Sequence, residues 1–456
     1  MELHDYQKHA VRFALHAFTG PAHGCGLFLE PGLGKTAISI AVMDIWKRLH
    51  PDARFLVIAP TLVARHSWPD ELDAWKDTHH LSWALCWGTP KKRLAALDEQ
   101  ADVTIINQEN LAWLDEVRKD WPYRGIVVDE IVGFKNTNST RTRVLARRRS
   151  HVDWCLGLTG TPASRELDDM FGIVRAIDDG YAWGSSITAF RGQWMRPDRY
   201  MPDGRGGSRV LSWTPLPGAR WMLAKRIESY CMSMRAKDKL PGLPAMLEHD
   251  IWLDMPETTR LLYDKLRKDM AATVNGVTIT VANAGVLTAK LAQLTCGCLY
   301  PDPDDPRHPD IRHVDDVKLD MLATIREQAD GPLLVFYQFT DELERMRHRF
   351  PDLREVHEHG VLDEWRAGRV PMLAAHPAAA KYGLNIQDGG HEIVWTSLPW
   401  SFDDYRQACD RLHRQGQAHP VTVHRLLESD TVDERRLNVL KGRESLHEAV
   451  MGALTD

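Results

Sequence analysis

Glu30-Pro31-Gly32-Leu33-Gly34-Lys35-Thr36 is a glycine-punctuated turn that ends on a lysine and a hydroxyl. Residues of those types in that order suit a polyphosphate. Gly32 and Gly34 let the backbone turn its N–H groups inward, so that with Pro31 and Leu33 they form a cradle. Lys35 can reach the β and γ phosphates, and the Thr36 hydroxyl can ligate Mg²⁺. The usual pattern carries one more glycine, where Leu29 stands here. Further along, the apolar run Ile126-Val127-Val128 delivers Asp129 and Glu130. An acid at the end of a buried strand can hold Mg²⁺ opposite the hydroxyl, and its neighbour can orient or deprotonate an attacking water. The chemistry implied is attack on the γ-phosphate of a nucleotide.

Such a turn works only between a strand and a helix. Gly26 to Leu29 reads as the strand, and Ile38, Val42, Ile45 and Leu49 recur at helical spacing after it. Phe55 to Ala59, Val103 to Ile106, Ile126 to Val128 and Leu156 to Leu158 are further short apolar runs separated by helical patterns. This is the α/β signature with a parallel sheet. After about Asp169 comes a segment rich in Trp, Gly and Arg, with a glycine-rich loop over Pro202 to Ser208. A second series follows. Its strands are Leu333 to Tyr337, Met372 to Ala375, Ile393 to Thr396 and Val421 to Leu427, and its helices are Lys318 to Ala329 and Phe402 to Leu412. The connector Pro301 to Pro309 is too proline-rich for helix or central strand.

With these motifs in hand the chain resembles the Swi/Snf-type motors of helicase superfamily two, and it looks most like the short phage-encoded members. His4-Asp5-Tyr6-Gln7 resembles the family's adenine-reading motif, and Ala59-Pro60-Thr61 with Trp68 resembles motif Ia. Asn107-Gln108 stands where a second nucleic-acid-facing motif is expected, and Leu158-Thr159-Gly160-Thr161-Pro162 resembles motif III. Leu334 to Phe339, which includes Gln338, resembles motif IV, and Gly383-Leu384-Asn385 resembles motif V. Gln407 to Gln417, with Arg411, His413 and Arg414, is close to the family's QAxxRxHRxGQ run and is the most family-specific signal. Met234 to Asp238 followed by Leu240-Pro241 resembles the segment closing a first lobe. The sequence departs from the pattern at Ile131-Val132, where the family commonly has Ala or Gly and then His, and before Gly383, where paired glycines are usual.

The resemblance implies two RecA-like lobes, at about residues 1–240 and 246–456, with mostly helical insertions at about 170–230 and 255–315, and ATP with Mg²⁺ held between the lobes. Gln7, Pro31, Gly32, Leu33, Gly34, Lys35, Thr36, Asp129 and Gly383 would bind the nucleotide. Thr36 and Asp129 would hold the metal, and Glu130, Asp129, Lys35, Arg411 and Arg414 would carry catalysis. Arg411 and Arg414, three apart on an expected helix, would face one phosphate together. Thr61, Asn107, Gln108, Thr161, Gln338 and Asn385 would touch nucleic acid. That partner is expected to be double-stranded DNA, tracked without strand separation, with RNA or single-stranded DNA as the alternative. A nucleotide-gated scaffold without turnover, suggested by Ile131-Val132, stays open as a rival. A small-molecule kinase would leave the Gln407 to Gln417 run unexplained.

Composition limits the remaining classes. In 456 residues there is room for two or three domains. There is no apolar window long enough for a membrane span and no signal-like N-terminus, so the expectation is a cytoplasmic protein, in the host cytoplasm if viral, and monomeric. The seven cysteines lack zinc spacing and read as buried thiols, and the histidines show no H-E-x-x-H. A formal charge of −6 is unusual for a nucleic-acid binder, but arginines crowd two segments, Arg141 to Arg149 and Arg191 to Arg209. Each crowd could line a nucleic-acid track or form a solvated face. The 16 tryptophans are core material before they are base-stacking platforms.

Overall fold

The computed structural model describes residues 2–160, 162, 167–202, 208–240, 242–274, 277–280, 283–300, 312–380 and 386–453. The chain divides into two compact units, Met1–Pro241 with Arg443–Asp456, and Gly242–Gly442. Each is built on one parallel sheet.

In the first unit the strands are β1 (Gly24–Leu29), β2 (Phe55–Ala59), β3 (Trp83–Cys86), β4 (Val103–Asn107), β5 (Gly125–Val128), β6 (Trp154–Thr159) and β7 (Cys231–Met234). Their spatial order is β3-β4-β2-β5-β6-β1-β7, and every neighbouring pair is parallel. β1, β2, β4, β5 and β6 are buried along their whole length, because helices cover both faces of a parallel sheet. Helix α1 (Asp5–Thr19) packs on helix α2 (Lys35–Leu49), and Phe18 of α1 stacks on Trp154 of β6 at 4.4 Å between ring centroids. The phosphate turn therefore lies between β1 and α2, as its composition requires.

In the second unit the strands are β8 (Met246–Leu253), β9 (Leu333–Phe336), β10 (Leu353–Glu355), β11 (Met372–Ala375), β12 (Glu392–Trp395) and β13 (Val421–Glu428). They are ordered β8-β13-β12-β9-β11-β10, again all parallel. Tyr405, Arg425, Glu248 and Asp250 tie β8 to β13. Arg425 Nε donates to Asp250 Oδ1 at 2.6 Å and Nη1 to Glu248 Oε2 at 2.8 Å. Two expectations fall outside the described residues, the connector Pro301 to Pro309 and most of the loop from Pro202 to Ser208.

The insertion of the first unit is less helical than expected. Helices Ile187–Trp194 and Ala219–Ile227 flank an antiparallel hairpin of Met195–Pro202 with Ser208–Pro215.

The three consecutive arginines that end helix Thr140–Arg149 are separated by packing, with Arg147 exposed and Arg149 buried, so those three do not present one basic face. Arg149 is buried, and its guanidinium donates to the carbonyls of Ile177 (2.9 Å), Ala22 (3.2 Å) and His23. Arg148 donates to Asp115 Oδ1 at 2.6 Å and lies over the ring of Trp121, and Arg147 pairs with the other Asp115 oxygen at 3.1 Å. These are structural clamps. Arg149→Ala orphans buried carbonyls and removes charge-assisted bonds, so it is expected to cost about 2–4 kcal/mol of stability. A lowered denaturation midpoint with an unchanged salt dependence of DNA binding checks this.

Candidate nucleotide-hydrolysis site

Parallel strands put the residues that follow them on one edge of the sheet, where ligands of such sheets bind. The register places Phe28 beside Thr159, Val128 beside Gly157, Ile58 beside Val128 and Ala59 beside Asn107. The phosphate turn, Asp129-Glu130, Thr159, Thr61 and Asn107-Gln108 all leave the sheet at that edge.

The turn is held from α1. Gln7 is buried, its Nε2 donates to the Leu33 carbonyl at 3.2 Å, and its Oε1 accepts from the His4 N–H at 2.8 Å. Gly34 has φ +76°, a left-handed backbone that favours glycine, and a Cβ there would stand 2.2 Å from Gln7 Nε2, so the Gln7 side chain would have to move. Lys35 Nζ donates to the Leu29 carbonyl at 2.8 Å, folding its side chain back over the turn. Glu30 is buried and accepts from the Ala236 N–H at 2.8 Å, which fixes the segment after β7 beside the turn.

Asp129 and Glu130 occupy different environments. Asp129 is buried; its Oδ2 accepts from the Trp68 indole at 2.9 Å and its Oδ1 from the Glu130 N–H at 3.0 Å. Burial pushes its carboxyl above the usual range, and the positive charge of Lys35, with the Trp68 bond, opposes that push. Glu130 has φ +49°, a left-handed backbone uncommon for a residue with a side chain. Thr159 Oγ1 donates to Glu130 Oε2 at 3.2 Å. Two carboxylates are thus separated into a buried one aligned with the lysine and a second one oriented by a threonine.

Gln108, expected to face nucleic acid, instead has a buried side chain whose Nε2 donates to the carbonyls of Asp129 (2.9 Å) and Glu130 (3.3 Å). It holds the acidic turn in shape, because a strained turn needs its carbonyls satisfied from outside. Gly133 permits this, since a Cβ there would stand 2.4 Å from Gln108 Oε1. Asn107 Nδ2 and Thr61 Oγ1 converge on one oxygen of Glu109, at 2.7 and 3.0 Å. Sequence reasoning missed the contact of Trp68 with Asp129. In the sequence Trp68 carries a signal only as part of the motif Ia resemblance; in the structure it follows a π-helical turn over Val63–Ser67.

In the second unit, Arg411 and Arg414 are not on a helix. That helix ends at Cys409, and turns follow, with Arg411 N–H to Ala408 and Gln417 N–H to Arg414. Tertiary anchors override local propensity here. Leu412 is fully buried, His413 Nε2 lies 2.7 Å from the Pro244 carbonyl, and Gln417 Nε2 donates to the carbonyls of Gln387 and Gly390 at 2.9 Å. Arg411 and Arg414 therefore do not share a helical face. The amide nitrogen of Gln338 is buried and finds no hydrogen-bond partner among the described residues. Thr161, Gly383 and Asn385 lie outside the described residues. All seven cysteines are buried and free. No helix among the described residues is long and apolar enough to cross a membrane.

A phosphate cradle, a lysine and paired acids at the carboxyl edge of a RecA-like sheet define a P-loop ATP hydrolase. The SNF2-related domain family matches residues 6–298, and the chain belongs to that family. It is 30% identical over 439 residues to protein p41 of Acyrthosiphon pisum secondary endosymbiont phage 1, covering 93% of each. It is 22% identical over 472 residues to an uncharacterized ATP-dependent helicase, MG018, of Mycoplasma genitalium, covering 97% of this chain and 42% of that protein. The chain thus spans less than half the length of MG018. The Sulfolobus solfataricus SWI2/SNF2 ATPase core in complex with dsDNA is similar at 20% identity and a TM-score of 0.46, over 99% of this chain and 93% of that one.

Proposed function

We propose that the chain is a nucleic-acid-stimulated ATPase that moves along double-stranded DNA. The observation that carries the reading is the connected set Trp68–Asp129–Gln108–Glu130–Thr159. It links segments expected to face nucleic acid with the acids expected to act on ATP. Movement of the segment after β2 or β4 then has a covalent and hydrogen-bonded route to the attacking-water position.

Gln7, Pro31, Gly32, Leu33, Gly34, Lys35 and Thr36 would bind the nucleotide. Gly383 joins them only through the family resemblance. Thr36 and Asp129 would hold Mg²⁺ together with the phosphates. That donor set fits the ion, which takes one or two protein ligands plus phosphate oxygens. No group of three or more His, Cys, Asp or Glu side chains suited to a metal occurs among the described residues. When bound, the ion supplies charge neutralisation at the transferring phosphate. Thr61 and Asn107, which now converge on a carboxylate oxygen, present a donor pair that a DNA phosphate oxygen could take instead. Gln338 offers a further N–H, and Thr161 and Asn385 are retained by resemblance alone.

Phosphate release measured alone and with duplex DNA, single-stranded DNA or RNA tests the reading. Duplex DNA should stimulate most, by about tenfold or more, and a rate indifferent to all three would leave the scaffold alternative standing. Arg411 and Arg414 are proposed to meet the γ-phosphate during turnover. A guanidinium fork matches charge spread over phosphate oxygens, and an ammonium does not. Arg414→Lys is expected to bind ATP nearly normally and to hydrolyse it at least about a hundredfold more slowly, below the typical worth of an arginine finger. Single-turnover hydrolysis on DNA is the measurement. A loss under about fivefold would assign Arg414 another role.

A further inference from the structure

The chain carries a formal charge of −6, yet residues 187–227 hold eight arginines and lysines against two aspartates. Positive charge is therefore concentrated around the hairpin of the first unit's insertion. Its hairpin is exposed from Arg196 through Met201 and at Ser208 and Arg209, with Tyr200 61% exposed. Arg196 and Arg199 stand on one strand and Arg209 on the other.

The base of the hairpin is fixed, whereas its outer half has no covering element among the described residues. Trp194 and Met195 are buried, and the Leu216 N–H donates to the Trp194 carbonyl at 2.9 Å. Arg191 donates from Nη2 to Asp168 Oδ2 at 2.7 Å and from Nε to the same oxygen at 3.1 Å, and its guanidinium lies 5.5 Å from the centre of the Trp213 ring. Asp168 belongs to helix Leu167–Asp178, which packs on β1 and β6, the strands that present the phosphate turn and Thr159. At Asp198 the pairing shifts register, and Asp198 accepts from Ser212 Oγ at 3.0 Å. Such a bulge increases the twist of a two-stranded ribbon.

From these observations we infer that the hairpin is a second duplex-DNA contact, a ribbon that enters a groove and pairs Arg196, Arg199 and Arg209 with phosphates on both of its walls. The inference rests on the DNA-motor reading and adds to it a contact outside the family's motif series. A B-DNA major groove about 12 Å wide admits a two-stranded ribbon whose strands lie about 4.8 Å apart. Arginines on both strands of the ribbon need phosphates on two sides, which a duplex has and a single strand lacks.

Full-length protein with Arg196, Arg199 and Arg209 all replaced by Ala tests this, using a 30-bp duplex and a 30-nucleotide single strand as probes. Hydrolysis without DNA should be unchanged, because none of the three touches the nucleotide site. Duplex affinity should fall tenfold or more, and the slope of log affinity against log salt should shrink by about 2 to 3, roughly 0.9 for each lost phosphate contact. The triple Lys variant should restore most of the affinity and slope, which a merely structural role of the arginines would not do. An unchanged slope on the duplex, an equal loss on the single strand, or no rescue by Lys overturns the inference while leaving the motor reading intact. If the unaltered protein neither binds duplex DNA nor is stimulated by it, the motor reading fails and the hairpin assignment with it.

Discussion

Lys35→Ala is expected to lower ATP hydrolysis by at least about 10³-fold and to weaken nucleotide binding in the same variant. The size follows from what is removed. A preorganised donor at a developing charge is typically worth about 10² to 10³ in rate, and Lys35 is a full cation rather than a neutral donor. Its partner at present is the Leu29 carbonyl at 2.8 Å, a neutral acceptor that a β or γ phosphate can replace without leaving a buried charge behind. A second consequence lies at Asp129. The charge of Lys35 is one of the influences that offset burial of that carboxyl, so its loss should push Asp129 further toward the protonated form. A neutral Asp129 would hold Mg²⁺ poorly, and ATP affinity should then recover in part as pH is raised. Nucleotide affinity by fluorescence at two pH values, together with phosphate release, measures both effects. Normal turnover in Lys35→Ala would remove the nucleotide site from this turn altogether.

Most of the catalytic half of the first unit was legible because its strands are continuous apolar runs. Phe55–Ala59 and Val103–Asn107 are buried along their whole length, and nothing in their sequence competes with that reading. Edge strands gave no such run. Met246–Leu253 alternates half-buried and exposed residues, with Glu248, His249 and Asp250 in its middle, and is held by Arg425 rather than by apolar burial. The hairpin in the insertion was hidden for a related reason, since an exposed ribbon rich in Arg and Pro carries no core-facing pattern. Side-chain direction was the least legible property. Arg147, Arg148 and Arg149 are identical in sequence, and only packing separates an exposed residue from a buried clamp on three carbonyls. The same holds for Gln108, whose type suits a phosphate or a turn equally well, and for Trp68, which meets Asp129 across 61 positions of chain.

Glu130→Gln should separate binding from chemistry. The substitution keeps the shape of the side chain and can keep an oxygen toward Thr159 Oγ1, now 3.2 Å from Glu130 Oε2, so the turn should hold. Gln108 supports that turn through backbone carbonyls, which the substitution does not touch. The left-handed backbone at residue 130 is tolerated by a side-chain amide at least as well as by a carboxylate. An amide cannot accept the proton of an attacking water, and a positioned general base contributes about 10² to 10⁴ in rate. ATP affinity within about twofold of the unaltered protein, with hydrolysis reduced by about 10² to 10⁴, is therefore expected. Equilibrium binding and single-turnover hydrolysis on DNA, run on the same preparation, give both numbers. Loss of ATP binding as severe as in Lys35→Ala would mean that Glu130 supports the nucleotide or the metal. Hydrolysis within about fivefold of the unaltered protein would mean that the water is activated from elsewhere, and Asp129 would then be the group to test, because it alone shares the strand end with Glu130.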